Sequence, residues 1–109
     1  TSTPVGDMAE VAGIRQVFDP SKVTIQSTKS LTGHCLGAAG GIEAAAVVMQ
    51  CYTGKVHGTL NLTDPEEGIK GFNVPSKAQD LKITGALSNS FGFGGHNSAI
   101  IFTPYDERG

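Results

Sequence analysis

A chain of 109 residues has room for one ordinary domain with a modest core. Its net charge of −2 and pI near 5.8 argue against nucleic acid or an anionic membrane surface as a partner. No apolar stretch is long enough to span a bilayer, and no basic–apolar–small leader is expected ahead of the chain. Fifteen glycines are the anomaly. They cluster instead of repeating, which indicates tight turns and close backbone approach, not a linker.

Taken in chain order, TSTPVGD is turn chemistry leading into a helix. Asp7 can cap its first free amides, and Met8, Val11, Ile14 and Phe18 recur at helical spacing. That helix should end near Asp19-Pro20. Residues 22–26 alternate, with Val23 and Ile25 on one face, and predict a short strand. A helix over residues 36–52 follows, stopped by Gly54. Its first half holds Gly37, Gly40 and Gly41, each costing about 1 kcal/mol of helix propensity relative to alanine. That cost suits a helix something must approach closely. Its second half is apolar on most sides, so the helix is expected to lie buried between layers. A chain this short supplies few such layers, and the domain reads as incomplete.

Residues 56–70 read as a loop with extended pieces, where Leu60 and Leu62 alternate and Asp64-Pro65-Glu66 turns. Residues 72–74 suggest a short strand, residues 82–88 a longer one, residues 91–95 a glycine-rich turn and residues 98–103 an apolar closing strand. The last two strands form a hairpin-like return at a sheet centre, and residues 104–109 form a loose tail.

If Cys35 and Cys51 lie on one helix, they sit sixteen residues apart, roughly 24 Å at about 1.5 Å per residue. A disulfide needs Cα atoms within about 7 Å, so both are expected reduced, in a cytosol-like compartment. Cys35 adjoins His34, but consecutive helical residues do not face each other. It is read as a small packing residue, not a nucleophile.

Lys29 and His34 stand just ahead of that helix. A neutral imidazole at a helix entrance donates a hydrogen bond to developing negative charge; the plainer alternative is a capping or packing histidine. Lys29 lies on a strand-to-helix loop, where α/β proteins keep their sites, or is simply solvated. Glu43, nine residues beyond His34, needs a partner if buried. Lys29, a bound cation and solvent are the candidates. In SNSFGFGGHN a glycine turn bracketed by Phe91 and Phe93 can aim backbone amides at an oxyanion. His96 reads as a turn residue with an exposed ring and His57 as surface. Neither glycine cluster fits a nucleotide fingerprint: Asn97 stands at the last glycine position of one, and GHCLGAAG lacks the lysine of a phosphate loop. No zinc spacing is present.

Together, TSTPVGD, STKSLTGHCLGAAGGIEAA and NSFGFGGHN, in that order and spacing, resemble the C-terminal part of the beta-ketoacyl-acyl-carrier-protein synthases. The resemblance runs from Thr1 to Phe102. It implies a thiolase-like α/β fold, the C-terminal part of its second half: a mixed sheet with a buried small-residue helix, residues 1–103, then the tail. It implies that His34 is one of two imidazoles promoting decarboxylation of a malonyl thioester and stabilising the enolate. Lys29 would set the electrostatics, and Glu43 would support that lysine and, in some members, a structural cation near Ser88 and Asn89. The Phe93 amide would contribute to the oxyanion hole while its ring gates the acyl pocket. No cofactor is required on this reading beyond such a monovalent or divalent cation, and His96 is not catalytic. Acyl carrier protein is the expected partner, the parent a homodimer in the cytoplasm, an organelle matrix or stroma.

The nucleophilic cysteine and second histidine of such enzymes lie upstream of the quoted motifs, so these 109 residues alone are expected to be inactive. A thiolase would carry a second reactive cysteine in the glycine loop, where SFGFGG has none. A polyketide ketosynthase differs only slightly in TGHCLGAAGG, and a non-catalytic assembly module is the remaining alternative.

Overall fold

The computed structural model describes residues 4–58 and 71–105. They belong to two compact units, residues 1–34 with 57–78 and residues 35–56 with 79–109.

In the first unit, helix α1 spans Pro4–Val17. It is already helical at Pro4, so Asp7 sits inside the first turn as a favourable acid and is not the cap. Phe18 lies just past the last turn, its N–H still bonded to Ile14 O at 2.9 Å. Asp19 then caps a 3-10 turn over Pro20–Lys22, its carboxylate accepting from the Ser21 amide at 3.1 Å and hydroxyl at 2.9 Å. The strand expected over residues 22–26 is not formed. A single parallel bridge joins Thr24 to Asn73, with Ile25 N–H donating to Asn73 O and Asn73 N–H to Val23 O. The strand expected over residues 72–74 is the other half of that bridge. Val11, Phe72 and Pro75 are buried here, and the Arg15 guanidinium lies 4.8 Å over the Phe72 ring. Helix α2 is one turn, Lys29–Thr32.

The second unit opens with a 3-10 turn, Leu36–Ala38, and continues as helix α3, Ala39–Thr53. Gly54 ends α3 in the left-handed conformation, φ 71°, its N–H on Gln50 O. Strand β1 (Lys55–Val56) pairs antiparallel with β2 (Gln79–Asp80). Strands β3 (Ala86–Gly92) and β4 (His96–Phe102) form an antiparallel hairpin in which Ser88 faces Ile100 and Asn89 faces Ala99. The hairpin matches the expectation, but β3 starts later than residue 82 and takes in Phe91 and Gly92 from the supposed turn. It is a two-stranded sheet among the described residues, not the centre of a larger one.

α3 packs on β3 where its backbone is barest: a Cβ on Gly40 would lie 3.5 Å from Ser90 Oγ. Gly37 and Gly41 have nothing within 4 Å of theirs. The helix is therefore covered on one side only. Ile42, Val48, Met49 and Tyr52 form an exposed stripe on the other, which corrects the expectation of a helix buried between layers. Tail residues 103–105 are irregular, with Pro104 half-buried, and residues 106–109 lie outside the description, as does the 59–70 loop with Leu60, Leu62 and Asp64-Pro65-Glu66.

Candidate functional site

Lys29 and His34 fall in the first unit, Glu43, Ser88, Asn89 and Phe93 in the second. Lys29 is not on a loop but is the first residue of α2, half-buried, its N–H donating to Ser27 Oγ at 3.1 Å. The Ser-Thr pair explains the turn: short hydroxyl side chains bond nearby backbone and start a helix. Thr28 carries the carbonyl that accepts from Leu31 and Thr32, each at 2.9 Å. Thr28 is itself buried, and its Oγ1 is buried without a hydrogen-bond partner. Gly33 closes the turn, φ 73° and ψ 175°, with its N–H on Lys29 O at 2.8 Å.

One helical turn and Gly33 take up the five residues from Lys29 to His34. His34 then emerges exposed, in irregular chain between α2 and the 3-10 turn. It does not sit on the N-terminus of α3, which begins only at Ala39. His34 directly follows Gly33, the residue that ends α2.

Phe93 occupies the hairpin tip, residues 93–95, with Gly94 and Gly95 both at φ 82°. Positive φ at successive residues needs glycine, which accounts for the Gly-Gly pair. The Phe93 side chain is 100 % exposed and packs on nothing described here. Glu43 is half-buried on α3, three residues from Gly40 and so on the helix face turned toward β3. Ser88, two residues from Ser90, is on the α3-facing side of the hairpin, whereas Asn89 is on the opposite side because neighbouring strand residues alternate. By this periodicity Glu43 and Ser88 lie on the faces of α3 and β3 that carry Gly40 and Ser90, and Asn89 lies on the other face of the hairpin. Among the described residues no group of three His, Cys, Asp or Glu side chains is placed to hold a metal ion.

Cys35 and Cys51 are free thiols, both half-buried. His96 begins β4, exposed opposite Gly92. His57 is not a surface residue: it is half-buried, its Nδ1 donates to Gly58 O at 2.9 Å, and Nε2 is buried without a partner. The sequence reading also passed over Leu36, which takes φ 51°. Leucine carries no sequence signal for that conformation, which glycine and asparagine favour.

Residues 1–63 match the family described as beta-ketoacyl synthase, C-terminal domain, which places the KSLTGH segment inside the matched region and shows that the chain belongs to this family, with its thiolase-like fold. Among curated proteins it is 50 % identical over 106 residues to 3-oxoacyl-[acyl-carrier-protein] synthase I, chloroplastic, of Hordeum vulgare, an alignment covering 96 % of this chain and 23 % of that protein. It is 49 % identical over 107 residues to 3-oxoacyl-[acyl-carrier-protein] synthase II, chloroplastic, of Arabidopsis thaliana, covering 96 % and 20 %. To 3-oxoacyl-[acyl-carrier-protein] synthase 2 of Staphylococcus aureus (strain COL) it is 45 % identical over 108 residues, covering 97 % and 26 %. The chain therefore spans about a quarter of the length of these relatives. No helix described here is long and apolar enough to cross a membrane.

Proposed function

We propose that the protein carrying this segment is a 3-oxoacyl-acyl-carrier-protein synthase that elongates acyl chains with malonyl-acyl-carrier-protein in fatty-acid synthesis. The observation that carries this reading is the KSLTGH turn, in a chain 45–50 % identical to such synthases over nearly its whole length.

The reaction asks for three things: an acyl group on a thiolate, donors for an enolate, and donors for a tetrahedral oxyanion. In the malonyl half, the bond to the carboxylate breaks and carbon dioxide leaves. The electron pair stays as the enolate, whose oxygen accepts a hydrogen bond from His34. The enolate carbon then attacks the acyl thioester, the carbon–sulfur bond breaks, and the thiolate departs. The Phe93 amide donates to the oxyanion formed at that step. The freely exposed Phe93 ring suits a gate, because no packing described here must be broken to move it. Lys29, five residues before His34 in sequence, sets the electrostatics of the site, and Glu43 supports it.

Cys35 and Cys51, half-buried within or beside α3, are not the nucleophile. The remainder of the protein supplies that cysteine and a second histidine, and this chain alone does not condense. A cation, where one binds, would draw on Glu43 and the backbone near Ser88 and Asn89. No organic cofactor takes part. Acyl carrier protein is the partner, and the whole protein is a homodimer of the cytoplasm, an organelle matrix or stroma.

The test is carbon dioxide release from malonyl thioester by the intact enzyme. His34→Ala should lower it by about 10²–10³, the usual cost of removing one donor to a developing oxyanion, while self-acylation continues. Release at the unaltered rate would show that the role given to His34 is wrong.

A further inference from the structure

Gly33 stands directly before His34 at φ 73° and ψ 175°, backbone that only glycine adopts readily. The freedom that admits glycine there also lets the next residue swing unless something fixes the Gly33 peptide. That peptide is planar, so its carbonyl oxygen and the His34 Cα turn together about Gly33 ψ. A group that holds the oxygen therefore sets the direction in which His34 leaves the turn. Thr32 is that group. Its Oγ1 lies 3.0 Å from Gly33 O and 3.2 Å from Thr28 O, but a hydroxyl has one hydrogen to give. Thr28 O already accepts the Leu31 and Thr32 amides, each at 2.9 Å, and these take up its two lone pairs. Gly33 O is the nearer acceptor, and the hydrogen goes to it. Threonine also suits the task because its branched Cβ restricts χ1. Thr28, Thr32, Gly33 and His34 all belong to the first unit.

We infer that Thr32 is a positioning residue for His34, acting through the Gly33 peptide: its hydroxyl donates to Gly33 O and so fixes the direction in which the histidine is presented to the malonyl thioester. The inference rests on the role proposed for His34. It predicts that variants at position 32 sort by possession of a hydroxyl and not by shape.

The experiment measures, in the intact enzyme, kcat and KM for carbon dioxide release from malonyl thioester, alongside self-acylation. Thr32→Ser keeps the donor and should hold kcat within about threefold. Thr32→Val keeps the branched shape and removes the donor. It should lose about tenfold or more in kcat, as slight misplacement of a reacting group does, with KM and self-acylation nearly unchanged. On a His34→Ala background Thr32→Val should not lower the residual release further, because residues that act as a unit are not additive. Unaltered activity of Thr32→Val, equal loss in Ser and Val, or the full loss repeated on the His34→Ala background would each overturn the inference. If the Val variant does not fold, Thr32→Ala takes its place against Ser with the same readings. His34→Ala alone separates the two levels. If that change leaves release intact, the proposed function fails; if it lowers release while the position-32 series is flat, only the positioning role fails.

Discussion

A Cβ added at Gly58 would lie 2.5 Å from the Cα and N of Lys77 and from the Ser76 carbonyl oxygen, all backbone atoms that cannot swing aside. At Gly13, in the middle of α1, the same atom meets nothing within 4 Å. One substitution should therefore act with opposite signs. Gly58→Ala is expected to destabilise by about 2 kcal/mol or more, as overpacking against fixed atoms does, and Gly13→Ala to stabilise by roughly 1 kcal/mol through helix propensity. Denaturant midpoints of the two variants check this, and a shift in the same direction would contradict the geometry. Composition disclosed the abundance of glycine but could not sort these two cases, because the crowding at Gly58 comes from Ser76 and Lys77, eighteen and nineteen positions away. His57 was misread for the same reason. A lone histidine in a loop carries no local sign of burial, which only the contacting chain supplies.

Elements whose signal is local were legible, and elements that depend on a distant partner were not. α3 and its stop at Gly54 follow from a long apolar run and one glycine, and the β3–β4 hairpin follows from two strands around glycines. The segment at 22–26 had the right alternation, yet its partner near Asn73 supplies just one bridge, so extended chain did not become a strand. Likewise the alternation over residues 82–88 anticipated β3 too early, because pairing with β4 begins at Ala86 opposite Phe102. These elements also differ in what holds them. At the α3–β1 junction, Gly54 combines φ 71° with a carbonyl that accepts from Leu81 N–H at 2.7 Å. Gly54→Ala should cost about 1 kcal/mol or more. A few residues on, the Lys55–Asp80 pair joins β1 to β2 at 2.9 Å, but its side chains are 70 % and 83 % exposed. Asp80→Ala should cost no more than about 0.5 kcal/mol, since solvent screens the pair. Thermal midpoints in low and high salt distinguish the two: the Gly54 effect should be indifferent to salt, and the small Asp80 effect should vanish with it.

At the scale of the whole chain, the candidate site was legible as a set of motifs but not as an assembled geometry, since its residues fall in two units. The same scale explains why the burial expected of α3 is missing. The buried apolar side chains among the described residues are Val11, Ala39, Val56, Phe72 and Pro75, most of them small, and none is completely enclosed. Apolar surface meanwhile remains on two sides of one layer pair: Ile42, Val48, Met49 and Tyr52 on α3, and Leu87, Phe91 and Ile101 on the hairpin face opposite Ser88 and Ser90. Ordering a residue costs about 1.5 kcal/mol, and burial at about 25 cal/mol per Å² must offset it. So thin a core leaves little or no margin. The 109-residue chain by itself is therefore expected to bind a hydrophobic dye such as ANS, to melt over a broad range, and to exchange its α3 amides within minutes. The remainder of the intact protein is expected to cover these faces, and the same amides should then be protected at least a hundredfold more. A sharp, cooperative transition of the isolated chain without dye binding would mean that the outward stripes of α3 and the hairpin need no covering.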